Sequence, residues 1–344
     1  MKHSNAYFLA VLGIPFTLGL AALADDVSFH PAKDFASQKE LRIDAELAVK
    51  EASISFNGEP VPADSIEQLT AQQLMLSIAI DVTETFRATK DGAPVDLLRG
   101  YDKIELKLEI GDEVQEPEGD NDLEGKSVQF LWDAKESEYK KSFHESKGDD
   151  ALLESLDADM EVRALLPDKK VGEGDTWDVS GDDLAALFFP GGIAAGGGDG
   201  SGEGPDVEAI TDEFAKQLET AFKEFKVTCT YTGTRDAAGT KVGEITFVYD
   251  GKASLDLDPI LKQAEEMGGG GIDMEFSSSA SMTLRGEGAL LWDLATGVMY
   301  TYEMKAELGL DVNIEAHAQQ EGMEFDVSMS GSIGGDVTWA MTRK

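Results

Sequence analysis

The chain has 344 residues, with 67 acidic side chains against 29 basic ones and a formal net charge of −38. Such a surface repels DNA, RNA and anionic headgroups, which excludes nucleic acid as a partner and favours cations and basic partners. A single cysteine excludes an intrachain disulfide, and a chain of this size can bury an adequate core without one.

The chain opens MKHSNAYFLAVLGIPFTLGLAALADD. Basic Lys2, an apolar stretch over 7–20 and the small-x-small triplet Ala22-Leu23-Ala24 form the pattern of a cleaved export signal over residues 1–24. The mature protein is then expected to begin near Asp25 and to be secreted or periplasmic. Removal of the signal takes away Lys2 alone and leaves a charge of −39. The apolar stretch is short for a membrane anchor, and no later stretch has spanning length, so no integral span is expected in the mature chain.

A β-rich first lobe is expected over 25–190. Leu41, Ile43, Ala45, Leu47 and Val49 alternate with polar residues, and the phase then flips to Ala52, Ile54 and Phe56. A bulge near Lys50 and Glu51 explains the flip. Further strands are expected at 74–88, 103–110, 126–133, 137–144 and 156–166, with short helices at 64–73 and 181–189. Between the strands, "DNDLEG" begins like a calcium loop, with Asp120, Asp122 and Glu124 as a weak calcium candidate. Its twelfth position is Leu131, where such a loop needs a bidentate Glu. The alternative is a solvated acidic loop, and no other metal-ligand spacing is present.

The turn "LLPDKKVGEGDTWDV" at 165–179 stops a strand at Pro167, permits reversal at Gly172 and Gly174, and offers Trp177 as an anchor. Glu173 and Asp175 oppose a phosphate cradle there. The run "GGIAAGGGDGSGEG" over 191–204 reads as a Gly-rich linker, dividing the chain from a second lobe at 205–344.

The second lobe begins with an amphipathic helix over 205–225, carrying Val207, Ile210, Phe214, Leu218, Phe222 and Phe225 on one stripe. Strands follow at 226–235 and 241–257, a helix at 258–267, and then three long period-2 segments at 272–292, 298–318 and 323–341. Cys229, in phase with Val227 and Tyr231, is expected to be a small core residue. Gly297 and Gly322 mark tight joints between successive strands. A 21-residue strand would reach roughly 70 Å if straight, so these strands must bend. The expected fold is therefore mainly β (α+β): a large, strongly curved, half-barrel-like antiparallel sheet of long strands with a few helices packed on it.

Two motifs also resemble something known. Leu166, Pro167, Val171, Gly174, Asp175 and Trp177, followed later by Asp293, Thr296 and Gly297, resemble the LP-x-x-x-V-x-x-G-D-x-W turn and D-x-x-T-G hairpin of an uncharacterised family of exported bacterial β-rich proteins, a domain of unknown function. The resemblance implies export and a curved β fold. It brings no activity, so it assigns no catalytic residue.

No catalytic constellation is evident. The mature histidines His30, His144 and His317 have no metal spacing, and no G-x-S-x-G elbow occurs. No cofactor is expected. The apolar phase of the second lobe instead gathers Met274, Met282, Met304, Met323, Met329 and Met341, six of eleven methionines, together with Trp292 and Trp339. Methionine suits adaptable apolar pockets. These eight residues are candidates to line a groove for a lipid-like ligand, the alternative being a core filled by the chain's own helices. The expectation is a non-enzymatic exported protein that binds an amphipathic ligand or a cationic envelope partner. The rivals are a carboxylate-based hydrolase and an outer-membrane-associated barrel-like protein.

Overall fold

The computed structural model describes residues 24–62, 64–66, 71, 73–111, 113–115, 121–180, 184–192, 217, 220–222, 224–267, 273–320 and 323–344. All but the last residue of the export signal expected over 1–24, most of the linker expected over 191–204 and most of the helix expected over 205–225 lie outside the described residues. Within the latter, Gln217 and residues 220–222 are helical.

The strands are β1 (Phe35–Phe56), β2 (Glu59–Pro60), β3 (Gln73–Lys90), β4 (Ala93–Ile110), β5 (Glu113–Gln115), β6 (Ser127–Asp133) and β7 (Glu138–His144), then β8 (Thr176–Ser180), β9 (Lys226–Ala237), β10 (Thr240–Leu255), β11 (Asp273–Asp293), β12 (Val298–Gln320) and β13 (Met323–Arg343). All belong to one curved, unclosed antiparallel sheet in the order β7-β6-β4-β3-β1-β13-β12-β11-β10-β9-β8. Helices α1 (Ala185–Phe188) and α2 (Asp258–Met267) are minor additions. The strands on either side of the Gly-rich run share this sheet, because β1 pairs with β13 from Lys39↔Arg343 to Phe56↔Val327.

The phase flip in β1 is a register shift between Val49 and Glu51. It restores the apolar side chains of Ile54 and Phe56 to the face that Leu41 and Ile43 occupy. The in-face glycines of β11 serve their neighbours. A Cβ at Gly288 would collide with the Phe247 ring and one at Gly286 with the Tyr249 ring, and each ring is the direct cross-strand partner of its glycine. Large rings on β10 thus fill the gaps that bare backbone leaves on β11.

One expected strand is absent. Residues 156–166 alternate Leu156, Ala158, Met160 and Val162, all buried, yet they form a loop that ends in a short 3₁₀ turn at Arg163–Leu165. Asp157 accepts from the amide of Asp159, and Asp159 accepts from those of Glu161 and Arg163. These local acceptors satisfy amides that a ladder would otherwise use, and Val162 adopts a left-handed φ of 47°. β4 also begins ten residues earlier than the expected 103, at Ala93. Register shifts near Asp81 and between Phe86 and Thr89 interrupt its alternation against β3.

The turn around Pro167 behaves as a structural anchor. Trp177 is half-buried and its Nε1 donates to the Leu165 carbonyl at 3.2 Å. Glu124 of the acidic loop spends its carboxylate on the Ile104 amide at 2.8 Å. Asp120 lies outside the described residues, and no group of acidic, His or Cys side chains suited to a metal occurs among those described.

Candidate ligand face

Neighbouring strands place apolar residues on a common face because partners in register point the same way. At one end of the sheet this face is sealed by the chain itself. Trp292, Met304, Met341, Trp339 and Met282 are all buried there. Trp339 Nε1 donates to the Phe188 carbonyl at 2.8 Å, Tyr302 Oη to the Leu187 carbonyl at 2.9 Å, and Trp292 Nε1 to the Ser28 carbonyl at 3.0 Å. Phe188 of α1 stacks on Phe222 at 4.3 Å and meets Trp339 and Tyr249 edge-on. Five of the eight candidate lining residues are therefore part of the chain's own core, with α1 over Trp339 and the N-terminal segment over Trp292. Cys229 is also in this core, where burial pushes its thiol up to about 12 and leaves it unreactive.

Burial falls off at one row of the register. Ala45, Val337 and Ala306, side by side on β1, β13 and β12, are buried. Their neighbours one step along, Leu47, Gly335 and Leu308, are only half-buried. From there the apolar phase continues through Leu310, Val312 and Ile314 on β12, none of them fully buried. Met329 on β13 is 42% exposed and Phe56 at the end of β1 is 49% exposed. Phe56 stacks on Phe325 with centroids 5.6 Å apart. Met274 and Met323 hold positions of the same phase on β11 and β13, but their side chains lie outside the described residues. Of the eight candidates, Met329 is the one whose described side chain stands open on this face. Phe56, Phe325 and Ile314 were not picked out from the sequence. The signal was there in the apolar phase of Ile54 and Phe56 after the bulge.

The opposite face of the same far half is polar. A shallow hollow of about 490 Å³ is lined by residues including Ser55, Glu275, Glu315, His317, Asp326 and Ser328. His317 Nδ1 lies 2.7 Å from Asp326 Oδ1, and this hydrogen bond raises the imidazole above its usual value.

A second feature, unforeseen from sequence, is a sealed ionic cluster at the packed end. Lys39 on β1 bridges the carboxylates of Glu84 on β3 and Glu161 in the 156–166 loop. Arg99 on β4 reaches Glu84 Oε1 at 2.7 Å and donates to the carbonyls of Asp157 at 2.7 Å and Ala158 at 3.1 Å. Glu161 also accepts from the Met299 amide at 2.6 Å, where the β11–β12 register shifts. All four side chains are buried. Burial opposes the charged form of each of them, but the pairing holds Lys39 above its usual range and Glu84 below the usual carboxylate range. For Glu161 burial wins, and its carboxyl is raised despite Lys39. The Ser37 hydroxyl, buried on the same face opposite Glu84, has no hydrogen-bond partner. The cluster holds two carboxylates around one ammonium but has no opening to solvent, so it ties a loop to four strands rather than meeting a substrate.

No family model matches the chain. No curated protein matches it. Among solved structures it is similar to one of lipovitellin, concerned with lipid–protein interactions, with 8% identity and a TM-score of 0.28 over 92% of this chain and 25% of that one. The chain thus spans about a quarter of the lipovitellin chain. It is also similar to the outer membrane protein OprG from Pseudomonas aeruginosa, with 8% identity and a TM-score of 0.20 over 92% of this chain and 99% of that one. A third similarity is to an outer membrane channel from Pseudomonas putida F1, with 7% identity and a TM-score of 0.18 over 93% and 98% of the two chains. At these TM-scores the likenesses carry no argument about what this chain does.

Proposed function

We propose that the protein is exported and acts without catalysis, holding an amphipathic, lipid-like ligand on the far apolar face of its sheet. The observation that carries this reading is the row at which burial stops. The apolar alternation of β1, β12 and β13 continues past Leu47, Gly335 and Leu308, while its burial thins: Leu47, Leu308, Leu310 and Val312 pack only partly against the core, and Met329 and Phe56 are exposed. Aliphatic and aromatic side chains left half-open in a contiguous array are the usual mark of a binding surface. Met329 adds a side chain that adapts to irregular apolar shapes. The resemblance of the Pro167 turn and Asp293 hairpin to exported β-rich proteins supports the assignment to the secreted or periplasmic space.

The rival readings find less support. A carboxylate hydrolase needs two acids in a cleft, one with a raised pKa. Glu161 has the raised carboxyl, but it is sealed beside Glu84 and Lys39. A membrane barrel needs a closed sheet with no unpaired edge, whereas this sheet ends at β7 and β8.

Native mass spectrometry of protein purified from its own host tests the reading. The expected result is a mature chain starting near Asp25 that carries an adduct of lipid-like mass. An adduct-free protein that also fails to bind dodecyl maltoside below its micellar concentration would refute it.

A further inference from the structure

The ligand-face reading leaves the polar end of the amphiphile open. Resting on that reading, we infer that the face selects amphiphiles with a cationic head over uncharged or anionic ones of equal chain length. The argument starts at the rim. Glu59 on β2 pairs with Phe56 in register, so its carboxylate stands on the same side as that exposed ring. At the other flank, Asp258 at the start of α2 accepts from the Ser278 hydroxyl at 2.5 Å. Ser278 lies on the apolar phase of β11 between Phe276 and Ala280. Asp256, two residues before Asp258, is exposed. Lys262, one turn farther along α2, is exposed.

The far side of the sheet adds to the same field. Glu46, Asp336 and Glu307 lie directly opposite one another across β1, β13 and β12, three acids against the one base, Arg285, that continues the row on β11. Like charges in that arrangement repel. A single sheet layer separates these carboxylates from the apolar face, a distance on the order of the ~8 Å screening length at physiological salt. An anionic head on the apolar face would meet repulsion from the rim and through the sheet. A cationic head would be attracted by both. The same charge argues against a second copy of this chain as the occupant, because each copy brings a net charge of −38.

The test compares three twelve-carbon amphiphiles below their micellar concentrations by titration calorimetry: dodecyltrimethylammonium, dodecyl maltoside and dodecyl sulfate. The expected order is cationic, then uncharged, then anionic. The first step should be about tenfold at low salt and shrink as salt is raised. A triple variant E59Q/D256N/D258N should lose several-fold in affinity for the cationic probe and keep its affinity for the maltoside. Equal or tighter binding of maltoside or sulfate would overturn the inference, as would a triple variant with unchanged cationic preference. Failure of the ligand-face reading is distinguishable from both outcomes. In that case no probe binds, or Met329→Ser, at an exposed position that tolerates substitution, weakens none of them.

Discussion

The two ends of this sheet are built from the same alternation and meet different fates. At the packed end, Trp339, Tyr302 and Met304 are covered by α1 and the 220–222 turn, and each polar tip finds a backbone carbonyl or a sulfur. At the far end the phase continues through Ile314, which is half-buried, and Met329 and Phe56, which are exposed. A strand's pattern therefore specifies which face is apolar. It does not specify how far along the strand a covering layer will reach, because that depends on segments elsewhere in the chain.

The contrast predicts unequal costs of truncation. Trp339→Ala removes a buried ring and its hydrogen bond, and should lower unfolding free energy by about 4 kcal/mol in urea titrations. Met329→Ala should cost well under ~1 kcal/mol. Comparable losses at the two positions would mean that the far face is packed after all.

Next in size is the ionic cluster. Glu84→Gln leaves Lys39 and Arg99 with one carboxylate between them and should cost about 3 kcal/mol. The pH dependence carries a sign. Glu84 has a lowered carboxyl in the folded state, so its contribution is present above the ordinary carboxylate range and is lost as pH falls through its folded value. Glu161 is raised, so it works in the opposite direction and favours the folded state as it becomes protonated. Urea midpoints from pH 7 down to 3 should show an acid loss that is shallower in Glu84→Gln than in the parent.

A smaller effect is expected on the open face. Ile314→Ser should weaken dodecyl maltoside binding by about fivefold, read by calorimetry, and lower the unfolding free energy by about 1 kcal/mol. The smallest effect belongs to the polar hollow. His317 is raised by Asp326, so the pair helps the fold below the ordinary imidazole range and stops helping as pH rises through the folded value. Asp326→Asn should return the NMR-observed His317 titration toward that ordinary range and leave the melting temperature unmoved.

Much of the far half was legible because nothing competes with its pattern. The long strands β11, β12 and β13, the joint at Gly297 and the bulge at Val49 all follow from phase and turn chemistry. The loop at 156–166 was misread because Asp157 and Asp159 divert amides that the alternation assigned to a ladder. The ionic cluster was missed for another reason. Lys39 occupies the phase of Leu41 and Ile43, which is a readable anomaly. Its partner Glu161 sits in that misread loop, and the phase of Glu84 and Arg99 is hidden by the register shifts of β3 against β4. The candidate lining residues were chosen by chemistry alone. Phase placed Met282, Met304, Met329 and Met341 on one face, but only the covering helices divide the enclosed from the open.

The pairing of β1 with β13 sets a condition on how the chain acquires its structure. β1, the first strand in sequence order, waits for β13, the last, since Leu41 faces Met341 across the ladder. Until that seam closes, one edge of β1 and one edge of β13 remain without partners, and the two sets of hairpins are separate ribbons. Such long-range closure slows folding and keeps the chain pliable through synthesis. A chain cut before β13 should yield two aggregation-prone ribbons with bare edges rather than a smaller version of the same sheet.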